Sequence, residues 1–238
     1  MKLIVDERVL KTPLSFEANS NNAYRRMNIG EAISHAKRWA DDEPFASRPL
    51  DTLSYFYCLE DDFESALSSS EMAVRREDSE TLSVLLNRLF SRIQLGYLDE
   101  SFAELHILAK HPEAKAYAVH IAADYGALAY AAGHLDEGRT FYEKAIEIAR
   151  KRNDPNQEAQ ALAFFARAAI AHSDPKFAEI LGKASKQVLQ LPSQGAIYVV
   201  SRLVSEEKRK DLLKTAAARV QKREWTWDSA SNTLRLLD

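Results

Sequence analysis

The sequence predicts an all-α protein assembled as a row of similar helical hairpins. Three observations point there. Apolar residues recur at three- and four-residue spacing through most of the chain, the period of one helix face. Only 7 Gly and 7 Pro occur in 238 residues, beside abundant Ala, Leu, Glu, Lys and Arg, a composition that favours helix over sheet. Finally, the stretch 118–155 reads as two amphipathic helices joined by a tight turn, with weaker copies on both sides. A hairpin of this size cannot bury its own apolar face, so neighbours must cover it.

In that stretch Ala122, Tyr125, Gly126, Ala129 and Tyr130 share one face of the first helix. Gly133 supplies the left-handed conformation that ends a helix without a Cβ penalty. Asp136 and Glu137 follow at the positive end of the next helix. Phe141, Tyr142, Ala145, Ile146 and Ala149 form its buried stripe, and Arg150-Lys151-Arg152 lie at its negative end. Asn153-Asp154-Pro155 then stops it. Small residues at 126, 129 and 145 let the two axes approach closely.

This unit resembles a tetratricopeptide repeat. The likeness rests on Gly126, Tyr130, Gly133, Tyr142 and Ala145, with Gly138 where the family usually has Ala. It implies a right-handed α-solenoid of hairpins whose first helices line a concave groove that holds a segment of a partner protein.

The remaining copies follow in chain order. Helix 16–27 leads to Gly30–Trp39. Pro49–Leu59 turns at Glu60-Asp61-Asp62 into 63–73. Leu82–Leu95 turns at Gly96 and continues to His111-Pro112. Gln157–Ala171 turns at Ser173-Asp174-Pro175 and continues to Leu191-Pro192. Equivalent second-helix positions Ala73, Leu108, Ala145 and Ala184 are 35, 37 and 39 residues apart, against a family period of about 34, so the later repeats are lengthened. In the third copy a strict alignment from Gly96 buries Arg88 and Arg92, which is too costly for a lone cation. A turn one residue shorter sends both outward.

Around this solenoid, taken as 16–192, lie three smaller parts. Residues 1–15 read as an arm or short strands. Residues 193–223 read as capping helices, the last strongly basic. Residues 224–238 alternate with period two around Ser229–Asn232, a small β-hairpin signal that either lids the last helix or offers an edge to a partner.

The formal net charge of −3 is too small to imply a polyanionic partner, although residues 1–112 carry 13 basic and 19 acidic groups and the remainder 19 and 16. A single cysteine, Cys58, excludes an internal disulfide and fits a reducing, cytoplasmic setting. It sits in an apolar stretch that reads as core. Charge at Asp6 interrupts the N-terminal apolar run, which therefore reads as neither signal peptide nor membrane span. The six histidines show no metal-site spacing. Phosphate loops, nucleophile elbows and dinucleotide fingerprints are absent. The acidic clusters 41–43 and 60–62 read as solvated turn charges. The expectation is a non-enzymatic protein with no cofactor and no metal.

Under the resemblance, the polar residues that first helices present to the groove are Arg48, Asp51, Tyr55, Asn87, Arg88, Ser91, His120 and Asp124. They are the expected grip on a peptide or helix of another protein, making the chain a scaffold or adaptor. A family subclass clamps C-terminal carboxylates with Lys and Asn; only Asn87 fits that set, and Asp51 and Asp124 oppose it. Two alternatives use other surfaces. One is nucleic-acid contact through the basic helix at Lys208, Arg209 and Lys210, although such runs are more often solvated faces. The other is self-assembly through Trp225 and Trp227 of the terminal hairpin, or through the Ala159, Ala163, Ala166, Ala169 face.

Overall fold

A computed structural model of the chain describes residues 15–76, 81–190, 193–221, 225–228 and 233–236, with side chains as far as Lys214. Among these residues the protein is all-helical apart from two short strands. The helices are α1 (Phe16–Arg25), α2 (Ile29–Asp42), α3 (Arg48–Leu59), α4 (Phe63–Val74), α5 (Leu82–Gln94) and α6 (Leu98–Leu108). They continue with α7 (Ala118–Ala131), α8 (Leu135–Lys151), α9 (Pro155–Ala171), α10 (Phe177–Gln187), α11 (Gln194–Leu203) and α12 (Glu206–Gln221). Strands β1 (Trp225–Asp228) and β2 (Thr233–Leu236) pair antiparallel, Trp225 opposite Leu236. The expected N-terminal arm and the turn at 229–232 lie outside the described residues.

One turn chemistry recurs along the chain. In each of five hairpins the residue after the turn donates its N–H to a carbonyl five positions back: Asn28 to Ala23, Asp62 to Tyr57, Tyr97 to Arg92, His134 to Ala129 and Asp174 to Ala169. This wider bond closes a helix when the preceding residue is left-handed. Those residues are Met27, Asp61, Gly96, Gly133 and Ser173, with φ of 59°, 61°, 86°, 83° and 52°. Only two are glycine, which is why the outer copies read weakly in sequence. A sixth left-handed residue, Asn153, separates α8 from α9. Pro155 does not end α8, as the sequence suggested. It opens α9, where its missing N–H costs nothing and Asp154 caps the N–H of Gln157 at 3.0 Å.

The second helices approach the first on small residues. Ala32, Ala66 and Ser101 are fully buried and stand five positions after the left-handed residue of their turns. Gly138 holds that place in the fourth hairpin. A Cβ on Gly138 would lie 2.5 Å from the ring of Tyr130, and one on Gly126 would lie 2.6 Å from the ring of Tyr142. The α7–α8 pair is thus locked by two reciprocal glycine–tyrosine contacts. Tyr130 also anchors the next hairpin: its hydroxyl donates to the buried carboxylate of Asp174 at 2.6 Å, which accepts from Arg139 at 2.6 and 2.7 Å and from the Lys176 N–H at 2.8 Å.

Helices pack in sequence, each on the next, and the alternate helices α3, α5, α7, α9 and α11 also touch one another in turn. The last of these, α11, returns to α3. The C-terminal end of α11 meets the C-terminal end of α3. The Gly195 N–H donates to Tyr24 at 3.0 Å beside Tyr55, and Arg202 donates to the Leu59 carbonyl at 2.6 Å. A ring of five inner helices results. Its seam is the turn Glu60-Asp61, read from sequence as solvated charge. There Tyr198 hydrogen-bonds Glu60, and Arg202 reaches Asp61 at 3.1 Å. The Ala159, Ala163, Ala166, Ala169 face is completely buried within the chain, so that face is not the self-association surface expected from its composition.

Gly126→Ala and Gly138→Ala should each destabilise the protein by about 1–3 kcal/mol through overpacking against tyrosine. Gly182, also within a helix, has open space where a Cβ would stand, with no neighbouring atom within 4 Å, so Gly182→Ala should stabilise by up to about 1 kcal/mol. Urea unfolding midpoints of the three variants check the contrast.

Candidate functional site

Between the inner helices lies a partly open cavity of about 110 Å³. Its polar lining comes from Tyr55 and Cys58 of α3, Asn87 of α5, His120 and Asp124 of α7, and Gln157 and Gln160 of α9. Helical spacing explains the convergence: 55 and 58, 120 and 124, and 157 and 160 are three or four apart, so each pair shares a face. Phe90, Tyr142 and Phe164 supply aromatic wall. Phe90 and Phe164 meet edge-on at 5.5 Å between ring centroids.

Asp124 is the outstanding group. It is 6% exposed, and its Oδ2 has no hydrogen-bond partner. Burial alone raises its pKa well above the ordinary carboxylate range, because the charged form loses hydration without compensation. His120 one turn earlier has an unpartnered Nδ1, and burial lowers its pKa, so it favours the neutral ring. Gln157 Oε1 is likewise buried without a partner. Asp51 differs. It accepts from Asn87 at 2.7 Å and Ser83 at 3.3 Å, and burial still raises its pKa.

Cys58 confirms the core reading of its neighbourhood. Burial pushes its thiol up to about 11, and its polar neighbour is Ser91 Oγ at 3.6 Å. A thiol so far from the thiolate form is a poor nucleophile. Among the described residues no group of three His, Cys, Asp or Glu is placed to hold a metal ion, and no helix is long and apolar enough to cross a membrane.

The eight residues expected in the groove separate into two sets. Tyr55, Asn87, His120 and Asp124 line the cavity, and Asp51 is bonded to Asn87 beside it. Ser91 is fully buried between helices, its hydroxyl donating to the Asn87 carbonyl at 2.9 Å. Arg48 and Arg88 lie elsewhere. Arg48 pairs with Glu17 at 2.7 Å and covers the Trp39 ring, bracing α3 against α1 and α2. Arg88 bonds Glu104 of α6, which also takes Arg92 at 3.0 Å, while Arg92 reaches Glu71 of α4 at 3.3 Å. The expected shortening of the third turn does not occur: Gly96 and its Tyr97-to-Arg92 bond match Gly133 and its His134-to-Ala129 bond. Arg88 and Arg92 are instead accommodated in a half-buried charge cluster with Glu104 and Glu71. Of the C-terminal set, Lys208 and Lys210 are exposed and Arg209 is 4.0 Å from Glu206. The side chains of Trp225 and Trp227 lie outside the described residues.

Sequence reasoning missed Gln157 and Gln160, which stand among alanines on α9 and carry no motif. It also missed Arg167. This 8% exposed cation donates to the Cys58 carbonyl at 2.7 Å and to Asp61 at 2.9 Å. It lies over the rings of Phe63, Phe90 and Phe164, at 5.4, 5.3 and 4.4 Å from their centroids. Comparison with known proteins finds no matching family and no similar curated protein.

Because the folded carboxyl of Asp124 holds its proton to a higher pH than the unfolded one, its burial costs no ionisation energy below the unfolded pKa. Above that pH, stability falls until the folded pKa is passed. Asp124→Asn should therefore gain stability relative to the wild type as pH rises from about 4, by at most about 1.4 kcal/mol per pH unit. Denaturation of both proteins across pH 3–8, with the gap flat or shrinking, would contradict this.

Proposed function

We propose that the chain is a closed, tetratricopeptide-like α-solenoid acting as a non-enzymatic scaffold that holds a segment of a partner protein at the rim of its inner ring. The observation that carries this reading is the convergence of Asp51, Tyr55, Asn87, His120 and Asp124 beside one cavity. Their hydrogen-bonding capacity exceeds what the fold uses: Asp124 and His120 each leave a buried polar atom without a partner. The recurring turn bond and the small residues five positions later support the family likeness. The raised Cys58 pKa supports a binding rather than a catalytic role, and the unpaired single cysteine suits a cytoplasmic setting.

The rim is the reachable part of this face. Tyr117, at the start of α7, is partly exposed, and its pKa is raised by burial, then by the nearby charges of Glu113 and Asp51. Tyr117 and Asp51 therefore lie on the same side. Lys115 and Arg152 lie beside Tyr117 and Glu113, so the rim is of mixed charge and suits a segment with both donors and acceptors. The exposed Lys208 and Lys210 keep nucleic-acid contact through α12 as the second reading.

A photo-reactive residue at Tyr117 should cross-link a partner whose capture is abolished by Asp51→Lys. The same residue at Glu147, on the outer surface of α8, should not. Equal capture from both positions, or capture indifferent to Asp51→Lys, would move the interface off the rim. Capture that depends instead on Lys208 and Lys210 and falls steeply with salt would favour nucleic acid.

A further inference from the structure

We infer that the central cavity is a binding site for a small organic cation: a primary ammonium or guanidinium group on a short apolar stem. The inference goes beyond the scaffold reading and does not depend on it.

Three buried polar atoms without partners, Asp124 Oδ2, Gln157 Oε1 and His120 Nδ1, belong to residues lining the same space. Buried polar atoms are ordinarily satisfied, and a carboxylate left bare in an apolar wall is the costliest kind. Gln157 Oε1 is an acceptor, Asp124 Oδ2 is an acceptor when the carboxyl is ionised, and a neutral imidazole nitrogen without its proton is the third. The lining contains no Lys or Arg, and among the described residues no ion pair is made by Asp124. Arg167 is close by, but its NH1 is committed to Cys58 and Asp61 at the ring seam, and its buried NH2, which has no hydrogen-bond partner, does not reach Asp124 Oδ2. A ligand rich in N–H donors and positively charged fills the deficit.

Shape and walls narrow the class. A cavity of about 110 Å³ has room for about four waters at ~30 Å³ each, which suits a cationic head with a few carbons. Tyr55, Phe90, Tyr142 and Phe164 contribute aromatic lining, against which an alkyl stem packs. The scarcity of ligating groups argues for an organic cation over a metal ion. When such a head enters, the ionised Asp124 carboxylate accepts N–H bonds from the ligand, and any proton the carboxyl carries in the empty site passes to solvent. The head is supplied either by a free small molecule or by a Lys or Arg side chain of a bound segment.

The test titrates the intact protein by calorimetry with n-butylammonium, with ethylguanidinium, with a short peptide bearing one arginine, and with butyramide as the neutral isostere. At least one cationic probe should bind one-to-one, about tenfold or more tighter than butyramide, the scale of a charge-assisted hydrogen bond. Asp124→Asn should lose a similar factor, whereas Glu143→Gln on α8 should not. Binding by free cations identifies a small-molecule site; binding by the peptide alone identifies a basic side chain as the occupant. No saturable binding by any cation, equal affinity for butyramide, or affinity unchanged in Asp124→Asn would overturn the inference. The comparison with butyramide needs no variant, so it holds even if Asp124→Asn fails to fold.

Discussion

The guanidinium of Arg167 is the contact on which the architecture turns. Taking a cation out of water is expensive unless partners replace its hydration. Here the replacement is a carboxylate, a main-chain carbonyl and three phenyl rings, drawn from α3, the α3–α4 turn, α4, α5 and α9. The carbonyl belongs to the last turn of α3, where unpaired carbonyls and the helix dipole favour positive charge. Arg202 of α11 joins at the same helix end through Leu59, Glu60 and Asp61. Two cations from distant repeats thus converge on one acidic turn, and an otherwise open row of hairpins is closed.

Closure changes what the inner face can do. In an open solenoid the first helices would present a long groove. In this protein α11 returns to α3, Tyr24 and Tyr55 receive Gly195, and the groove becomes a small cavity with a rim. Its polar residues are not equivalent. Asp51 and Asn87 satisfy each other, whereas Asp124, His120 and Gln157 do not find partners within the fold. The mutually satisfied pair belongs to α3 and α5, and the unsatisfied atoms belong to α7 and α9. The outer layer is held separately, by the Gly126–Tyr142 and Gly138–Tyr130 contacts and by the Asp174 network.

Local chemistry made the helices legible. Periodic apolar faces, Gly96 and Gly133, and the small residues of α7 and α8 located the hairpins to within a few residues. The turns at Met27, Asp61 and Ser173 adopt the same left-handed geometry without glycine, so only their hydrogen bonds betray them. Four of the eight proposed groove residues line the cavity because first helices share one register. Arg48 and Arg88 do not, because their carboxylate partners, Glu17 and Glu104, lie on neighbouring helices and pull them aside. The ring itself was invisible. Arg167 and Cys58 are 109 residues apart, and no periodicity encodes such a pairing. The rule that a lone buried arginine is too costly called for a shortened third turn that the structure does not have. Glu104 and Glu71 give Arg88 and Arg92 company in a half-buried cluster, and the same rule gave no hint that Arg167 could be buried.

Closure is tested most directly by cysteines placed at Glu60 and Tyr198 in a Cys58→Ser background and treated with a short bismaleimide. A closed ring predicts rapid cross-linking within one chain, at a yield independent of protein concentration, and its loss when Arg167→Leu and Arg202→Leu are combined. Cross-linking only between chains, or none in the folded protein, would mean that α11 does not return to α3 and that the inner face is an open groove.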